Sequence, residues 1–277
     1  MNKTIQLIII TVFLCSLIYV GVMSYLTPSK KIEPGKFEVI ESTLPIAASR
    51  YKKNYQAPKG RYAIQNIIHS SIQRTYHVYE GTKNKDKPII VLLHGSQRNG
   101  AAMLDMWQGV ARKNDLLLLA PDSADKRGWS LKNDPLSFLN SIIEDARKVY
   151  GFTSKEVYLF GHSSGARQAT FISVMKNNPF KAVGTHAGYP KKENLKIVLQ
   201  SASVSKVPIV FFLGTDDHIF SVEGARQSAE TLVQAGQDVK LSLFKKHNHW
   251  YYTVAPYVNQ RAWDFFSHKS EQTNSAN

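Results

Sequence analysis

A single cysteine, Cys15, stands in the whole chain of 277 residues, and it lies inside an apolar N-terminal run. No intramolecular disulfide can form, so cysteine usage leaves the redox compartment open. A cysteine-based zinc site and a cysteine nucleophile beyond that run are excluded with it. Acidic residues are scarce as well, 21 against 35 lysines and arginines, for a formal net charge of +14. Such an excess suits nucleic acid, an anionic membrane surface or a plainly basic exterior. Here the lysines come in scattered pairs, such as Lys52-Lys53, Lys191-Lys192 and Lys245-Lys246, with no helix-turn-helix, zinc-finger or RNP pattern beside them. Nucleic-acid binding is therefore not expected. No internal repeat is visible. What remains, 43% hydrophobic and 20% charged residues, is material for one globular domain with a sizeable core.

One long stretch carries no charge. It covers residues 5–26, with Lys3 before it and Lys30, Lys31 and Lys36 after it. Its length suits a membrane-spanning helix, while Val22-x-Ser24 offers a small-residue site of the kind that ends a signal peptide. An uncleaved signal anchor is the favoured expectation, because the run is long for a signal core. Leu14 before Cys15 argues against a lipid-attachment site. The catalytic part is expected in the cell envelope, held at a membrane by that N-terminal hydrophobic helix, or secreted or periplasmic if the leader is cleaved. Residues 27–60, rich in Lys, Pro, Ser and Gly, read as a linker; 61–268 read as the folded domain and 269–277 as a polar tail.

Within the domain, β-type runs alternate with helical ones. Residues 73–80 alternate polar and apolar side chains, as a half-exposed strand does. Residues 88–94, 116–120, 157–160 and 207–213 are continuous apolar runs, as in parallel strands buried on both faces. Shorter strands are expected at 182–186 and 239–244. Helices are expected at 101–112, at 135–150 with Gly151 as its cap, and at 166–175, 225–235 and 251–267. Residues 189–205 read as a polar connection with little to pack. The alternation implies an α/β domain, with a mostly parallel central sheet and helices on both faces.

Chemistry is concentrated in one pentapeptide. Gly161-His162-Ser163-Ser164-Gly165 is a G-x-S-x-G sequence between a strand and a helix, the context of a nucleophile elbow. Acyl transfer by Ser163 needs a base, an anion to orient that base, and donors for the developing oxyanion. In doubly wound sheets such groups gather at the carboxyl ends of strands. After the strand at 207–213 come Asp216 and Asp217, of which Asp217 is favoured; the competing role for both is capping the helix that begins near Ser221. After the last strand come His247 and His249, of which His249 is favoured because a base reaching back over the sheet needs a short loop first. A His-x-His pair can also hold a metal, but further ligands are not evident, and no metal is expected. His69, His77, His162, His186, His218 and His268 do not occupy the corresponding position and read as surface or core histidines. Oxyanion donors are expected from the backbone N–H of Ser164 and, in the loop His94-Gly95-Ser96, from that of Ser96.

Leu92-Leu93-His94-Gly95, Gly161 to Ala166, Gly214-Thr215-Asp216-Asp217 and His247-Asn248-His249-Trp250 follow one another in the order found in α/β-hydrolases. More narrowly, the chain from Tyr62 to Ser267 resembles the serine-esterase branch of polyhydroxybutyrate depolymerase-like and feruloyl esterase-like proteins and dienelactone hydrolase relatives. The resemblance implies an α/β-hydrolase fold that cleaves carboxylic esters without a cofactor. Asn248 stands where many relatives have glycine, and Ser96-Gln97-Arg98 replaces a run of glycines. Trp107, Trp129, Phe138, Tyr189, Trp250 and Tyr251 are candidates for lining an acyl or aryl pocket, and Arg98 for meeting an acidic group. No lid-sized insertion is present, so a shallow, open cleft taking a small-molecule ester is expected, with no protein partner. The competing readings are a peptidase or acyltransferase on the same fold, or a catalytically silent envelope binding protein.

Overall fold

The continuous apolar runs become the middle of a sheet, since only strands covered on both faces can bury every side chain. The computed structural model describes residues 32–47, 62–201 and 205–274. From Pro34 onward the chain is one unit. Its strands, in chain order, are β1 (Phe37–Ser42), β2 (Tyr62–His69), β3 (Ile72–Glu80), β4 (Ile89–Leu93), β5 (Leu117–Pro121), β6 (Val157–His162), β7 (Val183–His186), β8 (Ile209–Gly214) and β9 (Val239–Phe244). Its helices are α1 (Gly100–Lys113), α2 (Leu136–Tyr150), α3 (Ser164–Ser173), α4 (Lys192–Ser201), α5 (Val222–Gln234) and α6 (Ala255–Asn274). The strands form one nine-stranded sheet in the order β1-β9-β8-β7-β6-β4-β5-β3-β2. β3 runs antiparallel to both its neighbours, and the other pairings are parallel.

Helices cover both faces, as the alternation of patterns requires. On one side α2, α3, α4 and α5 pack through Phe138, Ile142, Ile172, Leu195 and Leu232 onto Val91, Leu159 and Phe211. On the other, α1 and α6 pack through Leu104, Trp107, Val258 and Phe266 onto Leu92, Phe160 and Phe212. Each helix ends where local chemistry stops it. Asn99 caps α1 by accepting the Ala102 N–H at 3.1 Å. Gly151, at φ +70°, closes α2 by returning its N–H to the Arg147 carbonyl.

Three elements depart from the sequence expectation. Part of the stretch read as a linker forms β1, which pairs with β9 from Phe37 opposite Val239 to Ser42 opposite Phe244. This edge strand is mostly exposed and carries two glutamates, so its register comes from pairing rather than from an apolar pattern. β2 and β3 make a hairpin whose turn residues, Ser70 and Ser71, both take positive φ. That turn normally advertises itself by Asn-Gly or Asp-Gly, where this hairpin has Ser70-Ser71. The polar connection at 189–205 contains α4, anchored by the buried Leu195 with Val198 and Leu199 packed beside it. The uncharged stretch 5–26 and the hydrophobic helix expected there lie outside the described residues. Among the described residues no helix is long and apolar enough to cross a membrane.

Candidate active site

β6 ends in the elbow, and the backbone there is unusual. Ser163 sits at φ +53° and ψ −115°, a region that side chains other than glycine avoid. The bend is held by close approach. A Cβ on Gly161 would stand 2.2 Å from the Gly165 carbonyl oxygen, and one on Gly165 would stand 2.3 Å from that of Leu93. Only glycine permits this contact of strand and helix. The Ser163 N–H is anchored to the His186 carbonyl at 2.9 Å. The hydroxyl that results faces a cavity of about 430 Å³.

At the carboxyl end of β8, Asp217 turns its Oδ2 toward Nδ1 of His249 at 3.0 Å. Its Oδ1 accepts the N–H groups of Ile219 and Phe220 at 2.8 and 3.0 Å. Burial pushes its carboxyl up, but the His249 hydrogen bond, the charge that ring can carry and the two amides outweigh burial, and its pKa is lowered. A carboxylate can only accept, so Nδ1 of His249 carries the proton and Nε2 is left to accept. Nε2 lies 3.2 Å from Ser163 Oγ. The structure thus brings Ser163, His249 and Asp217 into one hydrogen-bonded row. It does not bring Asp216 there: that side chain is exposed and accepts from Thr215 Oγ1 at 2.8 Å. Neither aspartate caps α5, whose cap is Ser221 Oγ accepting the Gly224 N–H at 3.1 Å.

His247 points elsewhere, with Nε2 2.9 Å from Nε2 of His186. Nδ1 of His186 in turn lies 3.0 Å from Nδ1 of His162. His162 and His186 were set aside by sequence reading and His247 was the less favoured base; nothing in composition or spacing links residues 162, 186 and 247. No group of three or more His, Cys, Asp or Glu among the described residues is arranged to hold a metal. Burial lowers the His247 pKa to about 4, with Asp217 opposing the fall and His249 adding to it.

The residues expected to supply oxyanion donors, Ser96 and Ser164, line the cavity with Ser163. Ser164 opens α3, so its N–H precedes the first intrahelical hydrogen bond and lies at the positive end of the helix. In the loop after β4, the Gln97 N–H goes to the Lys126 carbonyl and the Arg98 N–H to that of Gly95, whereas among the described residues that of Ser96 makes no backbone hydrogen bond. The loop is fixed from behind. Nδ1 of His94 donates to the Gly95 carbonyl at 2.8 Å, its Nε2 accepts the Ser123 N–H at 3.0 Å, and Trp129 Nε1 donates to the His94 carbonyl at 2.8 Å.

Of the aromatic candidates, Trp250 and Tyr251 line the cavity. Trp107 and Phe138 are core instead, packed with Phe160 and under Arg74 respectively. Trp129 braces the loop after β4, and Tyr189 donates to the Ser221 carbonyl at 2.9 Å. Arg98 lines the cavity, joined by residues not singled out from sequence: Met103, Met106, Arg167, Ile219 and Phe220. The methionines were missed because they belong to α1, whose apolar face reads as core.

The model of the Dienelactone hydrolase family matches residues 121–269. Among solved structures, the S-formylglutathione hydrolase of Agrobacterium tumefaciens is 13% identical at a TM-score of 0.61, over 75% of this chain and 95% of that one. Est1E from Butyrivibrio proteoclasticus is 14% identical at a TM-score of 0.59, over 75% and 99%. A thermostable esterase is 18% identical at a TM-score of 0.57, over 75% of this chain and 62% of that one. At such identities the likeness is one of fold, a mostly parallel sheet flanked by helices as in α/β-hydrolases. No curated protein matches the chain by sequence.

Proposed function

Since the chain belongs to the dienelactone hydrolase family and is a carboxylic ester hydrolase, we propose that it cleaves its ester through an acyl-enzyme on Ser163. The observation that carries this reading is the hydrogen-bonded row from Ser163 through His249 to Asp217. Ser163 Oγ attacks the ester carbonyl carbon as its proton passes to Nε2 of His249, and Asp217 stabilises the imidazolium formed. The N–H groups of Ser96 and Ser164 receive the oxyanion, each such donor contributing roughly 3 kcal/mol to the transition state. Collapse of the tetrahedral species expels the alcohol, which takes the proton from Nε2. Water then repeats the sequence on the acyl-enzyme, releasing the acid and restoring Ser163. The proton that leaves Ser163 departs with the alcohol and one from water replaces it, so the scheme balances and needs no cofactor.

Met103, Met106, Ile219, Phe220 and Trp250 give the cavity an apolar side suited to the acyl or alcohol part of a small ester. The test is a fluorophosphonate probe with a panel of p-nitrophenyl esters. Labelling and turnover by the wild type, both abolished in Ser163→Ala, are expected; a wild type that turns over esters without being labelled overturns the reading. Peptide amides assayed alongside separate an esterase from a peptidase.

The proposal extends to location: an exported catalytic domain held at a membrane by residues 5–26. Its support is the uncharged run bordered by Lys3, Lys30 and Lys31. Recovery of the full chain in the membrane fraction, with an intact N-terminus by sequencing, is the expected result; a soluble protein beginning near residue 25 overturns it.

A further inference from the structure

His162, His186 and His247 form a row of imidazoles under the active-site cavity, ring bonded to ring. His162 closes β6, His186 closes β7, and His247 lies in the turn after β9, so the row spans the end of β8. His186 and His247 are 0% and 2% exposed. Tyr251 lies flat against the first two rings, with centroids 4.8 Å from His162 and 4.7 Å from His186. Burying three imidazoles where leucine or phenylalanine would pack is unfavourable unless their hydrogen bonds serve a purpose.

Proton bookkeeping along the row makes its two bonds run in one direction at a time. Each N···N bond needs one ring to donate and the other to accept. Among the described residues the Nδ1 of His247 is buried and without a partner. With that nitrogen bare, His247 donates from Nε2 to His186, His186 donates from Nδ1 to His162, and His162 carries its proton on Nε2 at the edge of the cavity beside Gly95. In the reverse order His162 donates from Nδ1 toward His186, whose backbone also meets it. Three neutral rings satisfy both bonds with all donors pointing the same way. Burial, acting on each ring, favours that neutral form.

Every member of the row also touches the segments that carry the reacting groups. His162 precedes Ser163 in the chain. The His186 carbonyl receives the Ser163 N–H at 2.9 Å, and the His247 carbonyl receives the N–H of Asp216, next to Asp217, at 2.9 Å. β8 passes so close that a Cβ on Gly214 would stand 1.9 Å from the His247 carbonyl oxygen. His247 is two residues before His249. The elbow and the turn of the base come from strands that are not neighbours in the sheet. The imidazole row is a second side-chain tie between them, beside the Ser163–His249 bond itself.

We propose that His162, His186 and His247 are positioning residues for ester hydrolysis, a one-way imidazole brace that sets the Ser163 elbow in register with the turn carrying His249. This rests on the acyl-enzyme reading of Ser163 and His249. None of the three exchanges a proton with substrate; they act through the placement of the neighbouring groups. Misplacement of reacting atoms by about 1 Å costs on the order of 100-fold in rate, which is the scale expected here.

The test is His186→Phe, which keeps a ring for Tyr251 to stack on and removes both bonds. The brace predicts kcat lower by about 10- to 100-fold, KM within about threefold, and the rate of fluorophosphonate labelling lowered in parallel with kcat. His186→Gln, whose amide can accept from His247 and donate to His162, is expected to recover part of the loss. A His186→Phe enzyme with kcat within threefold of wild type overturns the proposal. Imidazole 1H–15N spectra of wild type and Ser163→Ala at pH 7 decide the matter even if His186→Phe does not fold. Neutral rings with coupling across both N–H···N bonds support the brace; a charged ring, or no coupling, overturns it. Because Ser163→Ala cannot form an acyl-enzyme but keeps the row, turnover by that variant sinks the acyl-enzyme reading while the spectra judge the brace separately.

Discussion

Two sets of histidines meet at the carboxyl end of the sheet, with the rings of His162 and His249 only 5.4 Å apart. They differ in what they are bonded to. His249 has a carboxylate on one nitrogen and a hydroxyl on the other. His162, His186 and His247 are bonded ring to ring, with no carboxylate among their hydrogen-bond partners in the described residues. A bonded carboxylate stabilises an imidazolium inside a protein, which is what the proposed role of His249 as base requires. Without one, burial favours neutral rings in the row, and a neutral ring bonded at both nitrogens is directional. On the two proposals above, the same residue type supplies reactivity in one place and geometry in the other, and the partner decides which.

The largest effect comes from removing the reactive set outright. Ser163→Ala and His249→Ala are each expected to lower kcat by roughly 10⁴- to 10⁶-fold with the fold intact, measured on a p-nitrophenyl ester with circular dichroism as the control. Next comes Asp217→Asn, which leaves His249 in place but makes it resemble a member of the row. The amide can donate to Nδ1, which favours the tautomer with its proton on Nε2, useless as a base. A loss of about 10³- to 10⁴-fold in kcat is expected, and a loss below tenfold rules out Asp217 as the orienting group.

The reactive set was legible in the sequence because each member follows a strand whose apolar run is unmistakable. Val157 to Phe160 announces the elbow at Ser163, and Val207 to Leu213 announces the loop of Asp217. The choice between Asp216 and Asp217 was harder to read, since both follow the same strand and differ by one residue of turn geometry. The row was not legible at all. His186 ends a four-residue strand, and His247 looks like a loop histidine; their meeting depends on β8 lying between β7 and β9 in the sheet. Sheet order is a long-range property that no local period encodes. β1 escaped for a related reason, because an exposed edge strand is specified by its neighbour β9 rather than by its own residues.

A smaller effect concerns stability. Rings buried neutral have folded pKa values below the unfolded value near 6.5, so below that pH the unfolded chain binds more protons. Their contribution is complete above about pH 6.5 and is lost as pH falls toward the folded pKa, which for His247 is about 4. His247 alone then withdraws about 3 kcal/mol across that window. The groups facing the row are Asp217, which opposes protonation loss at His247, and His249 and Arg98, which disfavour added charge. Asp217 itself has a lowered pKa, and its contribution is lost only below the unfolded carboxylate value near 3.9, outside the window. Urea unfolding at pH 7.0 and 4.5 is expected to show a steep loss for wild type and a shallower one for His247→Gln. Equal slopes would mean that the ring is already charged in the folded protein.

The smallest effect separates the two aspartates. Asp216 is exposed, its carboxylate accepts from the neighbouring Thr215 hydroxyl, and only its backbone N–H reaches the row, through the His247 carbonyl. Asp216→Asn keeps that N–H and an oxygen for Thr215. The charge it removes is screened by solvent and lies outside the bonded set, so kcat and KM are each expected within about twofold of wild type, and stability within about 0.5 kcal/mol. The comparison gains its force from adjacency: two aspartates one residue apart, one variant nearly silent and the other costing about a thousandfold. If instead Asp216→Asn approaches the loss seen for Asp217→Asn, the orienting charge belongs to the loop as a whole, and the distinction between a bonded carboxylate and a nearby one does not hold.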